Sequence, residues 1–219
     1  MVETLYLIRH GETEGMVPKR YKGTLDVPLS VRGVGQAQAL ARHMRARLAR
    51  GKSLAAVYCS DLSRAVKTAE PLAGAFGLEP RILPSLRERN FGRWEGLTFD
   101  EIRDRFPGEF EAWMRDPLEH SPVGGESTRE TRERALQGWR EVQALHRGGA
   151  VAVVSHGGVN RVLLCEFLGV PLANIFRLEQ DAGCLNVVRF YEGYPVLKLL
   201  NGNVTEGIGE ASGVAGDGV

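Results

Sequence analysis

The chain has 219 residues, 43% hydrophobic and 25% charged, and carries a formal net charge of +1. That length and balance fit one medium globular domain that can bury a core without covalent staples. A near-neutral chain has no global field with which to hold nucleic acid or an anionic membrane, so any anion specificity must come from a local cluster.

Taken in chain order, "TLYLI" (4–8) reads as a buried strand. "LSVRGVGQAQALARHMRARLARG" (29–51) reads as an amphipathic helix, with Ala37, Leu40, Ala41, Met44 and Leu48 at helical spacing, Ser30 placed to cap it and Gly51 to stop it. "LAAVYCS" (54–60) is a second strand, "DLSRAVKTAEPLAGAFG" (61–77) a second helix and "RILPSL" (81–86) a short strand. Residues 98–146 read as mostly helical, with capping boxes at Thr98/Glu101 and Ser127/Glu130. "AVAVVS" (150–155) is a further strand and leads into a helix near 159–168; "CLNVVRFYEGYPVLKLLN" is a hairpin turning at Glu192-Gly193. Alternating strands and helices predict an α/β fold, a three-layer α/β/α sandwich with a mostly parallel central sheet. The expected organisation is a single domain over 1–205, with 98–146 as a helical insertion over the site, and a flexible Gly-rich tail over 206–219. Three scattered cysteines without C-x-x-C spacing, and no leader or membrane-length apolar run, point to a reducing, cytoplasmic setting.

Ligands of such sheets bind at the carboxyl ends of the strands. Two strands end alike, in "LIRHG" (7–11) and "VVSHGG" (153–158), and a third ends in a turn that puts Arg64 at the start of a helix. A single strand-end histidine is usually a hydrogen-bonded structural residue, and a single first-turn arginine is usually solvated. Together, Arg9, His10, Arg64 and His156 describe a site for a tetrahedral oxyanion, with glycines such as Gly157 leaving backbone N–H groups within reach. Phosphate is the obvious candidate.

"LIRHGET", "GTLDVPLSVRG", "SDLSRAVKTAE", "LRERNFGRWEG" and "VVSHGG", in that order, resemble the histidine phosphatase (phosphoglycerate mutase-like) superfamily over roughly residues 4–200. The resemblance implies a phosphoglycerate mutase-like fold and a metal-independent reaction without cofactor. In it His10 becomes phosphohistidine, Arg9, Arg64 and His156 hold the equatorial oxygens, and Glu88 protonates the leaving alcohol. Residue chemistry alone does not separate Glu88 from Glu95; the resemblance selects Glu88. Thr13 and Gly23 match the family's phosphate and substrate loop. The chain departs from the pattern at Met16, where many members carry an asparagine donor, and Arg20 and Lys22 are the candidates to replace it. Asn160 and Arg161 read first as helix-start residues.

"PVGGEST" resembles the phosphatase branch, and the loops most resemble α-ribazole phosphatases. The alternatives are a sugar-phosphate or broad-specificity phosphatase, a phosphoglycerate mutase, or a non-catalytic phospholigand-binding module. The expected partner is a small phosphomonoester substrate, with neither nucleic acid nor membrane, and the protein itself is expected as a monomer or homodimer. A cysteine phosphatase needs C-x5-R, and Cys59 falls one residue short of that spacing to Arg64.

Overall fold

The computed structural model describes residues 1–15, 17–48 and 53–204. Met16, Gly51 and the 206–219 tail, each given a role above, lie outside the described residues. Six strands form one sheet in the order β3-β2-β4-β1-β5-β6. They are β1 (Thr4–Arg9), β2 (Leu54–Cys59), β3 (Pro80–Ile82), β4 (Ala150–Ser155), β5 (Leu185–Tyr191) and β6 (Tyr194–Gly202). β1, β2, β3 and β4 pair in parallel; β5 pairs antiparallel with β1 and with β6. The sheet is therefore mixed and mostly parallel, as expected.

The period-2 alternation of the strands builds a core on each face. Leu5, Leu7, Val151 and Val153 face α5 (Thr128–Ala144) and α6 (Gly157–Leu168), against Leu136, Trp139, Val159 and Leu163. Tyr6, Ile8, Val57 and Val154 face α1 (Val31–Leu48) and α2 (Ser63–Gly74), against Leu40, Met44, Ala69 and Leu72. Strands buried on both faces read as continuous apolar runs, which is why "TLYLI" and "AVAVVS" show no polar alternation. Among the described residues no helix is long and apolar enough to cross a membrane.

Two stretches break where the sequence reading ran them together. Residues 81–86 are not one strand: β3 ends at Ile82, and Pro84, lacking an N–H for the ladder, opens a 3-10 turn over Pro84–Leu86. Within 98–146 the sequence already separates α5 by the polar loop "PLEHSPVGGES", but the helical stretch ahead of that loop divides into α3 (Phe99–Arg105) and α4 (Pro107–Arg115), with Pro107 taking the first position of α4. Both capping boxes form: Thr98 with Glu101 opens α3, and Ser127 with Glu130 opens α5. Trp94, Ile102 and Trp113 make a small core of their own that holds α3 and α4 in place.

Candidate active site

The site begins with register. β1 and β4 are neighbours, and Arg9 lies opposite Ser155, so His10 and His156 leave the sheet side by side. Their rings meet edge to face with centroids 5.0 Å apart. The His10 N–H is held by Ser155 O at 3.0 Å. α1 then closes the loop from the other side. Ser30 donates through its N–H to Glu12 O and through its hydroxyl to Glu12 Oε1 at 2.8 Å, and its Oγ caps the helix by accepting from Gly33 N. A Cβ on Gly33 would sit 1.9 Å from Glu12 O, so "SVRG" is glycine because the first turn of α1 packs against the backbone of the "RHGE" loop.

His10 Nδ1 lies 2.7 Å from Gly11 O. A carbonyl only accepts, so Nδ1 carries the proton, and in neutral imidazole the lone pair is left on Nε2. Burial, then the charges of Arg9 and Arg64, push the His10 pKa well below its usual 6.5. The ring is thus uncharged at physiological pH, with the Nε2 lone pair available. Gly11 N donates to Thr68 Oγ1 at 3.1 Å, and Thr68 in turn donates to Arg64 O at 2.7 Å. One threonine of α2 thereby ties the His10 loop to the helix that carries Arg64.

The cations are positioned by carbonyls. Arg64 is 2% exposed and donates to Gly23 O and Leu25 O, both at 2.6 Å. Arg9 Nη1 donates to Gln180 O at 2.5 Å, and the Gln180 side chain is itself bonded to Asn160 and Asn186. Arg9 Nε and His156 Nδ1 are buried without a hydrogen-bond partner. Buried polar atoms are nearly always partnered, and orphans concentrate where a ligand completes them. His156 Nε2 lies 2.7 Å from Ser60 Oγ, and burial, then the charges of His10, Arg64 and Arg9, lower the His156 pKa well below 6.5.

The two carboxylates separate cleanly. Glu95 Oε1 accepts from Thr24 N, Thr24 Oγ1 and Phe91 N at 2.7, 2.9 and 3.1 Å, so it staples the 20s loop to the 90s loop. Glu88 stands at the start of α6: Gly158 N donates to Oε2 at 3.0 Å and Arg89 N to Oε1 at 2.9 Å. A Cβ on residue 158 would lie 2.5 Å from Glu88 Oε1, so the second glycine of "HGG" makes room for this acid. Arg134 of α5 donates to Ser85 O, Arg87 O and Glu88 O and pairs with Glu126, fixing the segment that presents Glu88.

Of the residues expected from sequence, Arg9, His10, Arg64, Glu88, His156 and Gly157 cluster at these strand ends. Lys22 joins them from the side: it donates to Thr13 Oγ1 at 2.6 Å and to Glu14 O, and its pKa is lowered by burial, then by Arg64 and Arg9. Thr13 is buried beneath it, bridged to Leu29. Gly23 contributes the carbonyl that Arg64 grips. Arg20 goes elsewhere: its Nη1 donates to Gly96 O and Glu101 Oε2, both at 2.7 Å, at the start of α3. Ser60, Thr68 and Arg134 were missed. The first two lie inside the "SDLSRAVKTAE" motif on either side of Arg64, which was the available signal; Arg134 sits in an ordinary charged helix face and gave none. Cys59 is no rival nucleophile, since burial, then Glu70 and Asp61, push its thiol up to about 12.

Two buried histidines, two arginines and a glutamate thus meet at the carboxyl ends of the strands. The model of the histidine phosphatase superfamily (branch 1) matches residues 5–203, and the chain belongs to that family. It is 32% identical over 197 residues to the adenosylcobalamin/α-ribazole phosphatase of Salmonella typhimurium, covering 90% of this chain and 95% of that one. It is also 32% identical over 197 residues to phosphoserine phosphatase 1 of Hydrogenobacter thermophilus, covering 90% and 91%. The crystal structure of the α-ribazole phosphatase from Shigella flexneri superimposes with a TM-score of 0.81 at 29% identity, covering 97% of this chain and all of that one.

Proposed function

We propose that the chain is a phosphomonoesterase working through a phosphohistidine on His10. The observation that carries this reading is the Nδ1 contact of His10 with Gly11 O at 2.7 Å, which leaves Nε2 unprotonated between Arg9, Arg64 and His156. Nε2 attacks phosphorus; the N–P bond forms as the ester P–O bond breaks. Arg9, Arg64 and His156 offset charge on the equatorial oxygens, and Glu88 gives its proton to the departing alkoxide. Water then enters, Glu88 takes a proton from it, the new P–O bond forms and the N–P bond breaks, releasing inorganic phosphate and the original imidazole. The cations do the neutralising, and the proposal has no step through a metal.

Substrate class follows the relatives: α-ribazole 5′-phosphate is the first candidate and phosphoserine the second. The test is hydrolysis of p-nitrophenyl phosphate in EDTA by wild type and His10→Ala, followed by a panel of phosphomonoesters containing both candidates. Turnover by wild type and none by His10→Ala is the expected result. Activity that survives His10→Ala removes the assignment.

A further inference from the structure

Beside Glu88 opens a cavity of about 250 Å³. It shares a wall with the phosphate cluster: Gly158, whose N–H holds Glu88, lines it, and so does Arg161, whose Nη1 lies 3.4 Å from where a Cβ on Gly157 would stand. Tyr21, which precedes the Lys22-Gly23 segment, lines it as well. A phosphate seated between Arg9 and His156, with its ester oxygen toward Glu88, directs its alcohol half into this space.

The walls decide what that half can be. Tyr21, Phe91, Trp113, Val162, Ile175 and Phe176 supply the bulk of them. Most polar groups nearby are already committed to the fold; Trp113 Nε1, buried without a partner, is an exception and offers the cavity one donor. Each nitrogen of the Arg89 guanidinium has a partner, in Glu126 O, Thr128 Oγ1 and His120 O. Thr128 and Thr131 donate their hydroxyls to Pro117 O and Ser127 O. Arg161 binds Leu178 O through Nε at 2.6 Å. None of the lining residues is acidic, so an amino group has no counter-ion there. A polyol or an amino acid entering this space loses water and regains few of its hydrogen bonds, whereas a flat ring gains from burial. The volume suffices, since an engineered core cavity of roughly 150 Å³ already holds benzene.

We infer that this cavity is the leaving-group site and that it takes phosphomonoesters whose alcohol carries an aromatic or similarly apolar group, in preference to phosphates of small polyols and amino acids. The inference rests on the phosphatase reading for the direction in which the ester points, and it is tested in a way that separates the two. Calorimetry with 2-phenylethylphosphonate and 2-hydroxyethylphosphonate, which cannot turn over, measures the cavity alone. Tighter binding of the phenyl compound, on the order of 10–100-fold, is expected. Hydrolysis of 2-phenylethyl phosphate, glycerol 1-phosphate and O-phosphoserine, all primary alkyl esters, measures kcat/KM with the chemistry included, and should show the same preference. Phe176 is 62% exposed, so its truncation leaves the core intact, and Phe176→Ala should shrink the binding ratio by about threefold or more. Equal binding of the two phosphonates, or a ratio untouched by Phe176→Ala, overturns the inference even if every ester is hydrolysed. A phenyl preference in binding with no hydrolysis of any ester upholds the cavity assignment and sinks the phosphatase reading instead.

Discussion

Ser60 Oγ lies 2.7 Å from His156 Nε2, and both side chains are fully buried. A hydroxyl is donor or acceptor as required. An oxyanion beside the other ring nitrogen needs Nδ1–H, and that tautomer obliges Nε2 to accept from Ser60. Ser60 is thus a positioning residue acting through His156.

Ser60→Ala should weaken inhibition by inorganic phosphate and lower kcat/KM by about 10–100-fold, in line with roughly 1–3 kcal/mol for an unsatisfied buried partner. Nitrogen-15 NMR on phosphate-bound enzyme provides the direct readout. Wild type should show His156 protonated at Nδ1, and Ser60→Ala a mixture of tautomers. A Ser60→Ala protein with one clean Nδ1–H tautomer removes the role.

His10 should titrate below pH 6.5, because burial and its arginine neighbours disfavour the imidazolium. The folded pKa is depressed while the unfolded one stays near 6.5. The unfolded chain therefore takes up a proton first as pH falls. Stability present above about 6.5 is lost progressively as pH drops from there toward the folded pKa. A histidine NMR titration of the free enzyme checks this, and a His10 midpoint at or above 6.5 contradicts it.

Glu88 and Glu95 should fail differently. Glu88→Gln should cut kcat on an alkyl phosphate by about 10²–10⁴-fold, with less loss in single-turnover transfer from p-nitrophenyl phosphate, whose leaving group needs no proton. Glu95→Ala strips the acceptor from Thr24 N and Phe91 N and should act on melting temperature, at about 1–3 kcal/mol per stranded group. Equal leaving-group dependence in the two variants would show that Glu88 is not the acid.

Arg20→Ala should change kcat/KM by less than about threefold. The Arg20–Glu101 pair is 37% and 33% exposed, and pairs of that exposure contribute about 0–1 kcal/mol. A tenfold loss of phosphate affinity would put Arg20 back among the phosphate ligands.

Gly33→Ala should destabilise strongly although the residue touches no substrate. Its new Cβ would sit 1.9 Å from Glu12 O, and relieving such overpacking costs about 1–3 kcal/mol or more. Thermal melts should register a fall of roughly 5 °C at this chain length; an unchanged melt would mean the loop yields freely.

The strand ends were legible because their chemistry contradicts their setting. Each of His10 and His156 alone reads as a structural histidine; two His-Gly strand ends with Arg9 and Arg64 at the same end of the sheet are what point to a site. Caps were legible too, since Thr98/Glu101 and Ser127/Glu130 are local patterns that tertiary context left alone. What stayed hidden depended on distant partners. Arg20 reads as a loop cation until Glu101 is seen beside it, and Arg134 reads as a solvated helix charge until three carbonyls of residues 85–88 converge on it. The Glu88/Glu95 choice was undecidable from spacing, because it turns on which carboxylate finds Thr24 and which finds the α6 N-terminus.

The pairing of residues 4–9 with 150–155 also bears on how the protein is made. His10 leaves the ribosome well before its neighbouring strand β4 and His156 do. Until β4 and then β5 are made, β1 lacks both of its neighbours, and the parallel contact with β4 closes a very long loop. Assembly of the site therefore waits for β4, and a nascent chain that stops short of β4 should hold neither phosphate nor a stable β1.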